Sequence, residues 1–508
     1  MFDALFTTTT EYKKLSHALS GKGACALFGL PASGRAQVYA ALCRQLDKPL
    51  CIVTPGEAEA TRFAADLNTL GIPAAVFPAR DYVLRPIEGT AREYEYRRLA
   101  VLGELVGGRL RAVAVPAEAL TQFTTPKEDF CANTRTLHAG DTLLRDDLLA
   151  ALFGAGYTRR AQVDGPGQFS VRGDIVDIFA PDQKMPVRME FWGDEIDTLH
   201  TFDLTTQRRE DAIDKFYLSP AREVLFGKPA DAAEQLRAFL AKQRGKKKPA
   251  MADCMAADLD LLDGGAVPVN MDKYLAVRYP HPATVLDYFD DPILVAEEPA
   301  SIREADRATV YRRGEELKSL ILDGVLCAGL DNLYADPSYL WSKTGHYRTI
   351  CAENFARSMP DQPLKDIINA PAHTLPAWNG EVAGLLEDLK PLCDAGYTVT
   401  LLAGTDRAAA GLARDLRDKG ILVTTDAAAA PAAGLVQVLA GHLSAGCEFP
   451  FAKYALLTGR AFGETSSQKK KRKKAKDALN SLTEITPGDL VVHQNHGIGR
   501  YAGIQRMA

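Results

Sequence analysis

QFSVRGDIVDIFAPDQKMPVRMEFWGDEI, residues 168–196, reads as two β-strands joined by a short polar turn. Phe169 and Val171 alternate with Ser170 and Arg172, the two-residue period of a half-buried strand. The alternation then slips, with Val176 and Ile178 apolar beside Asp177, as a bulge or bend at Gly173 produces. In the second strand Val187, Met189 and Phe191 point to one face, and Arg188, Glu190 and Trp192 to the other. A tryptophan sharing a charged face with an arginine has two readings. It is a docking surface, since both residue types are enriched in protein-binding hot spots, or a sheet covered by a neighbouring helix or second sheet.

Upstream, ACALFGLPASGRAQVYAALCRQL (24–46) runs apolar strand, glycine loop, amphipathic helix. In that context backbone N–H groups and a helix N-terminus can cradle phosphate. Aligned to G-x-x-x-x-G-K-[ST], the loop has Gly29 and Gly34, but Arg35 replaces the lysine and Ala36 the hydroxyl residue. Alanine cannot ligate Mg²⁺, and arginine is a poor stand-in for a lysine tucked under the β- and γ-phosphates. The loop is therefore expected to be inactive, a tight strand-to-helix turn. Strand-then-helix units recur at 49–71 and 111–123, which predicts a mostly parallel sheet. Tyr82, Tyr94 and Tyr96 between them read as packing on a helix face or as base-stacking platforms.

Downstream, KQRGKKKPA (242–250) reads as a solvated polar break. The apolar strand Ile293 to Ala296 ends in Glu297-Glu298-Pro299. A Walker B strand ends in carboxylates that hold Mg²⁺; beside a degenerate phosphate loop, Glu297 and Glu298 read as a degenerate version of it. Residues 351–374 read as linker, punctuated by PDQP and NAPAHTLP. A small α/β unit follows to 462, with a strand at Thr398 to Ala403. Then seven of the eight residues 469–476 are Lys or Arg, a self-repelling linker that could also touch nucleic-acid phosphate. In the closing stretch Pro487-Gly488-Asp489 marks a turn before short strands. His493 and His496 have no third ligand nearby and are not read as a metal pair.

At 508 residues the chain has room for about three or four domains. With 46% apolar and 25% charged residues it is an ordinary globular composition. A net charge of −5 restricts any nucleic-acid contact to local patches. Nine scattered cysteines without a CxxC pair suggest reduced thiols rather than disulfides or a zinc site. No signal peptide is recognisable, and no apolar run approaches the ~18 residues of a membrane span, so a soluble cytoplasmic protein without membrane contact is expected.

RGDIVDIF followed by VRMEFWGDEID resembles domain 2 of the excision-repair protein UvrB and the equivalent module of the bacterial transcription-repair coupling factors. In both families this module binds UvrA. The resemblance implies UvrA-contacting roles for Arg172 and Arg188 and for the aromatic pair Phe191 and Trp192, with parity favouring Trp192 as the exposed member. The aromatic-rich DNA-clamping hairpin of UvrB has no room between 77 and 105, as in coupling factors. Residues 375–462 resemble domain 3 of that family. GDLVVHQNHGIGRYAGI resembles the start of its RNA-polymerase-interacting domain, a small CarD-like β-barrel. This implies contact with the polymerase β subunit through Val491, Val492, His493, Gln494, Gly497, Gly499 and Arg500.

The expected architecture is thus multidomain α/β. A UvrB-like parallel-sheet module comprises 1–138 with the degenerate phosphate loop and 213–350, split by a mainly-β UvrA-binding insertion at 139–212. A linker (351–374), a small α/β domain (375–462), a basic linker (463–483) and a truncated barrel start (484–508) follow. The resemblance implies the N-terminal part of a coupling factor, itself non-catalytic and without a cofactor. ATP and Mg²⁺, and most contact with duplex DNA, belong to motor domains that the chain lacks. The rival is a UvrB-like ATP-dependent DNA helicase, which requires an intact phosphate loop and the hairpin.

Overall fold

A computed structural model describes residues 3–87, 92–243, 247–327, 329–359, 362–378, 382–430, 432–459, 490–493 and 497–500. Its centre is a seven-stranded, all-parallel sheet. The strands lie in the order Leu364–Asn369, Gly23–Phe28, Arg348–Glu353, Ile293–Glu297, Leu50–Thr54, Ala112–Pro116 and Ala74–Val76. Its middle strands are apolar on both faces because helices cover both. Val38, Tyr39, Leu42, Phe63 and Leu67 from the helices Ala32–Leu46 and Glu57–Thr69 fill one side. Leu99, Leu102 and Ile302 from Glu93–Val106 and Pro299–Leu322 fill the other.

The stretch read as linker is in large part sheet. Arg348–Glu353 and Leu364–Asn369 are parallel strands on either side of Gly23–Phe28. Leu364–Asn369 was hidden by its edge position, where Lys365, Asp366 and Ile367 face solvent and only Ile368 is fully buried. The polar break at 242–250 is likewise shorter than expected. Helix Pro229–Lys242 is followed by helix Lys247–Asp263, whose apolar Met251 and Met255 reach the core.

Between these parts the chain leaves through Arg135–His138 and returns antiparallel to it as Lys215–Leu218. This neck carries a six-stranded sheet: Arg209–Ala212, Glu195–Phe202, Val187–Trp192, Ile175–Phe179, Gln168–Arg172 and Thr158–Arg159. The period slip near Gly173 is a hairpin turn, not a bulge. Arg172 pairs with Ile175, leaving Gly173 and Asp174 as the turn, and Gly173 takes φ +62°, a region where a side chain is strained. A bulge does occur, two hairpins later, between Ile196 and Thr198. The inner face packs Phe169, Val176, Ile178, Val187, Met189 and Phe191 on Leu148 and Leu152 of helix Arg145–Gly154.

Beyond the neck, Glu223 enters a buried charge network. Its carboxylate accepts from Arg98 Nε at 2.6 Å and lies 3.2 Å from Arg80 Nε, while its backbone N–H donates to Glu95 at 3.0 Å. Although burial opposes it, the Arg80, Arg92 and Arg222 guanidiniums hold the Glu95 carboxyl down at about 2. These buried contacts therefore fix the segment that follows the neck to the helix Glu93–Val106 and the Arg80 loop of the parallel-sheet module, anchoring the base from which the insertion projects.

The second α/β unit has a six-stranded sheet: His373–Leu375, Gly446–Phe449, Tyr454–Thr458, Thr398–Leu402, Val436–Leu439 and Val423–Thr424. It packs on the first. Phe449 meets Phe6 edge-on at 4.9 Å, and Ser444 donates twice to Asp66, at 2.8 and 2.6 Å. Leu490–His493 and Gly497–Arg500 form an antiparallel hairpin. The basic run, Gln494 and the remainder of 484–508 lie outside the described residues.

Candidate docking face and a closed phosphate loop

The inserted sheet brings the residues singled out in 168–196 together, but does not expose them equally. Phe191 is buried against the helix side, whereas Trp192, the next residue, is 83% exposed. Trp192 stands at the end of its strand, opposite Glu195 across the Gly193-Asp194 turn. Parity along one strand thus separates the aromatic pair into a core member and a surface member.

The two arginines share one carboxylate. Asp177, fully buried on the neighbouring strand, lies directly across from Arg188. Its Oδ1 accepts from Arg188 Nε at 2.7 Å, and its Oδ2 accepts from Arg188 Nη2 at 2.9 Å and Arg172 Nη2 at 2.5 Å. Arg188 also donates from Nη1 to the Gln207 carbonyl at 3.1 Å and stacks over Phe202 at 4.7 Å. Only 9% of Arg188 remains exposed, against 46% of the Arg172 side chain. The rim continues through Glu190 paired with Arg209, and through Arg145, which donates to the Gly173 carbonyl at 2.9 Å. Sequence reasoning passed over Asp177. Its signal was an acid between Val176 and Ile178 in an otherwise apolar strand, a residue that burial permits only with a partner.

At the phosphate loop, Arg35 closes the site on itself. Its Nε lies 3.0 Å from Glu297 Oε2, and its Nη1 donates to Glu298 Oε1 at 2.8 Å. The other Glu297 oxygen accepts from Tyr39 OH at 2.5 Å. Burial pushes the Glu297 carboxyl above the ordinary glutamate range, outweighing the pull of Arg35, and raises the Tyr39 phenol well above its usual value. The loop is also covered. Ala372 N–H donates to the Gly29 carbonyl at 3.0 Å, and a Cβ on Gly34 would meet Cys447 Sγ at 2.9 Å. Ala36 is fully buried in the same helix. Among the described residues no group of three or more His, Cys, Asp or Glu could hold a metal ion, and no helix is long and apolar enough to cross a membrane.

Tyr82 is buried, its hydroxyl bound to the Phe123 and Leu333 carbonyls at 2.8 and 3.1 Å, and Tyr96 packs against Gly167 and Arg222. Tyr94 alone of the three is exposed, under the Arg97 guanidinium.

Residues 136–224 match the UvrB interaction domain, and 485–508 match the CarD-like/TRCF RID domain. Over nearly its whole length the chain is similar to transcription-repair coupling factors. It is 27% identical over 496 residues to that of Bacillus subtilis (strain 168), covering 95% of this chain and 42% of the relative. It is 26% identical over 497 residues to that of Staphylococcus haemolyticus (strain JCSC1435), covering 94% and 42%. The chain spans about two fifths of the length of these relatives.

Proposed function

We propose that the chain is the docking part of a transcription-repair coupling factor. In this reading the outer face of the inserted sheet, with Arg172, Arg188 and Trp192, takes UvrA, while Phe191, expected from the resemblance to share that contact, is core beneath it and supports the strand rather than touching a partner. Residues 484–508 begin the contact with the RNA polymerase β subunit. Translocation on duplex DNA with ATP and Mg²⁺, and displacement of a stalled polymerase, fall to motor domains beyond these residues. The observation that carries the reading is Trp192, an indole 83% exposed on the same inserted sheet as the half-exposed Arg172 side chain, in a module that matches the UvrB interaction domain. Leaving that much aromatic surface in water is unfavourable, and its removal on docking is what a hot-spot anchor supplies.

A UvrB-like helicase would need the loop at Gly29–Ala36 to admit a triphosphate and its metal. Here the Arg35 charge is taken by Glu297 and Glu298, and position 36 offers no hydroxyl. The nine cysteines, all free, suit a reducing cytoplasm.

Titration of purified UvrA with the chain tests the reading. Truncating a hot-spot aromatic costs about 2–4 kcal/mol, so Trp192→Ala should weaken binding roughly 30- to 1,000-fold. Wild-type affinity in both Trp192→Ala and Arg172→Ala would remove UvrA docking from this face.

A further inference from the structure

We propose that Asp177 is a positioning residue that makes Arg172 the reaching cation of the docking face and withdraws Arg188 from direct contact. This rests on the docking reading above and refines which side chains meet the partner. Asp177 is fully buried, and both its oxygens are engaged by guanidinium donors. Arg188 spends its donors inward: Nε and Nη2 on Asp177, Nη1 on the Gln207 carbonyl, and its plane on the Phe202 ring. With 9% of the residue exposed, it has little left to offer a second molecule.

Arg172 is the converse. Nη2 is its bond to Asp177, and nearly half of its side chain faces solvent. Two guanidiniums against one carboxylate leave one net positive charge, and the geometry places it on Arg172. A flexible arginine must be ordered before it can bind a partner's carboxylate in the bidentate fashion that makes such contacts strong. Asp177 performs that ordering in advance. The partner's complementary features are a carboxylate for Arg172 and an apolar hollow that receives Trp192.

Asp177→Asn alone would strand Arg188 as a buried, unpaired charge and threaten the fold. The test therefore uses the paired replacement Asp177→Leu/Arg188→Met, which removes both buried charges and keeps the volume apolar. Affinity for purified UvrA is measured at several salt concentrations, for the full chain and for the paired variant, each with and without Arg172→Ala. In the native background Arg172→Ala should weaken binding at least tenfold and flatten the salt dependence. The paired variant should keep the native salt dependence, because Arg188 never faced the partner. It should still bind more weakly, and in it Arg172→Ala should cost at least threefold less than in the native chain.

If the paired variant flattens the salt dependence as much as Arg172→Ala does, Arg188 touches the partner and the proposal is wrong. If the Arg172→Ala penalty is the same in both backgrounds, Asp177 does not position it. Either result can occur while Trp192→Ala and Arg172→Ala still weaken UvrA binding, so the inference can fail while the docking reading stands. No effect of those two single variants would overturn both.

Discussion

Replacing Arg35 with alanine leaves Glu297 buried without its cation. The guanidinium is 3% exposed, sits 3.0 Å from Glu297 and donates to Glu298 at 2.8 Å. After truncation the Glu297 carboxylate, whose side chain is 2% exposed, keeps the Tyr39 hydroxyl and the more distant pull of Arg62. Breaking a buried pair from one side typically costs about 3–5 kcal/mol, much of the roughly 5–15 kcal/mol that holds a domain together. Alanine is a good helix former, so helix propensity adds no penalty at this position. Arg35→Met with Glu297→Met removes both charges and should cost under about 2 kcal/mol. Urea unfolding followed by far-UV circular dichroism reads the difference. The pH dependence has a definite sign. Burial already raises the folded-state pKa of Glu297, and without Arg35 it rises further. The alanine variant's deficit should therefore be largest above that raised value and shrink as pH falls through it. An Arg35→Ala loss below about 1 kcal/mol, or an equal loss in the double methionine variant, would refute the view that Arg35 neutralises this site.

Other expectations follow from the same contacts. Gly34→Ala pushes a methyl toward Cys447 Sγ, 2.9 Å away, and should destabilise by about 1–3 kcal/mol; adding Cys447→Ala should restore part of that, as read by thermal melting. Asp306, on helix Pro299–Leu322, is pushed up to about 6 by burial, so the stability it contributes is present at low pH and lost as pH rises through 6. Asp306→Asn should thus gain over the parent between pH 5 and 7, by about 1 kcal/mol after allowance for solvent screening. Glu95 is the opposite case: held down at about 2, it contributes stability above the ordinary glutamate range. Glu95→Gln should lose on the order of 3 kcal/mol at pH 7, and the gap should close as pH falls toward 2 in acid titration.

Local pattern made much of this legible. Val187–Trp192 alternates cleanly because one of its faces is core, so parity alone placed Phe191 inside and Trp192 outside. The loop between Gly23–Phe28 and Ala32–Leu46 was readable because strand, glycines and helix adjoin in sequence. What stayed hidden depends on distant neighbours. Arg188 shares a face with Trp192, but the turn carrying Gln207 and the Phe202 ring covers one and not the other. Arg35 meets Glu297, and Gly34 meets Cys447, only once the sheet order and the packing of the second α/β unit are known. Leu364–Asn369 is an edge strand, and edges are blunted with charge, which erases the apolar run that announces a central strand. At Gly173 the shortfall was one of turn chemistry, a Gly-Asp hairpin turn read as a bulge or bend within one strand.

Hydrogen–deuterium exchange of the chain, alone and saturated with UvrA, tests the docking claim most directly. Backbone protection should concentrate on the Gly173-Asp174 and Gly193-Asp194 turns and the strand ends at Arg172 and Trp192, and should be absent in Trp192→Ala. Unchanged exchange there, with protection appearing on the 375–459 unit instead, would contradict the account.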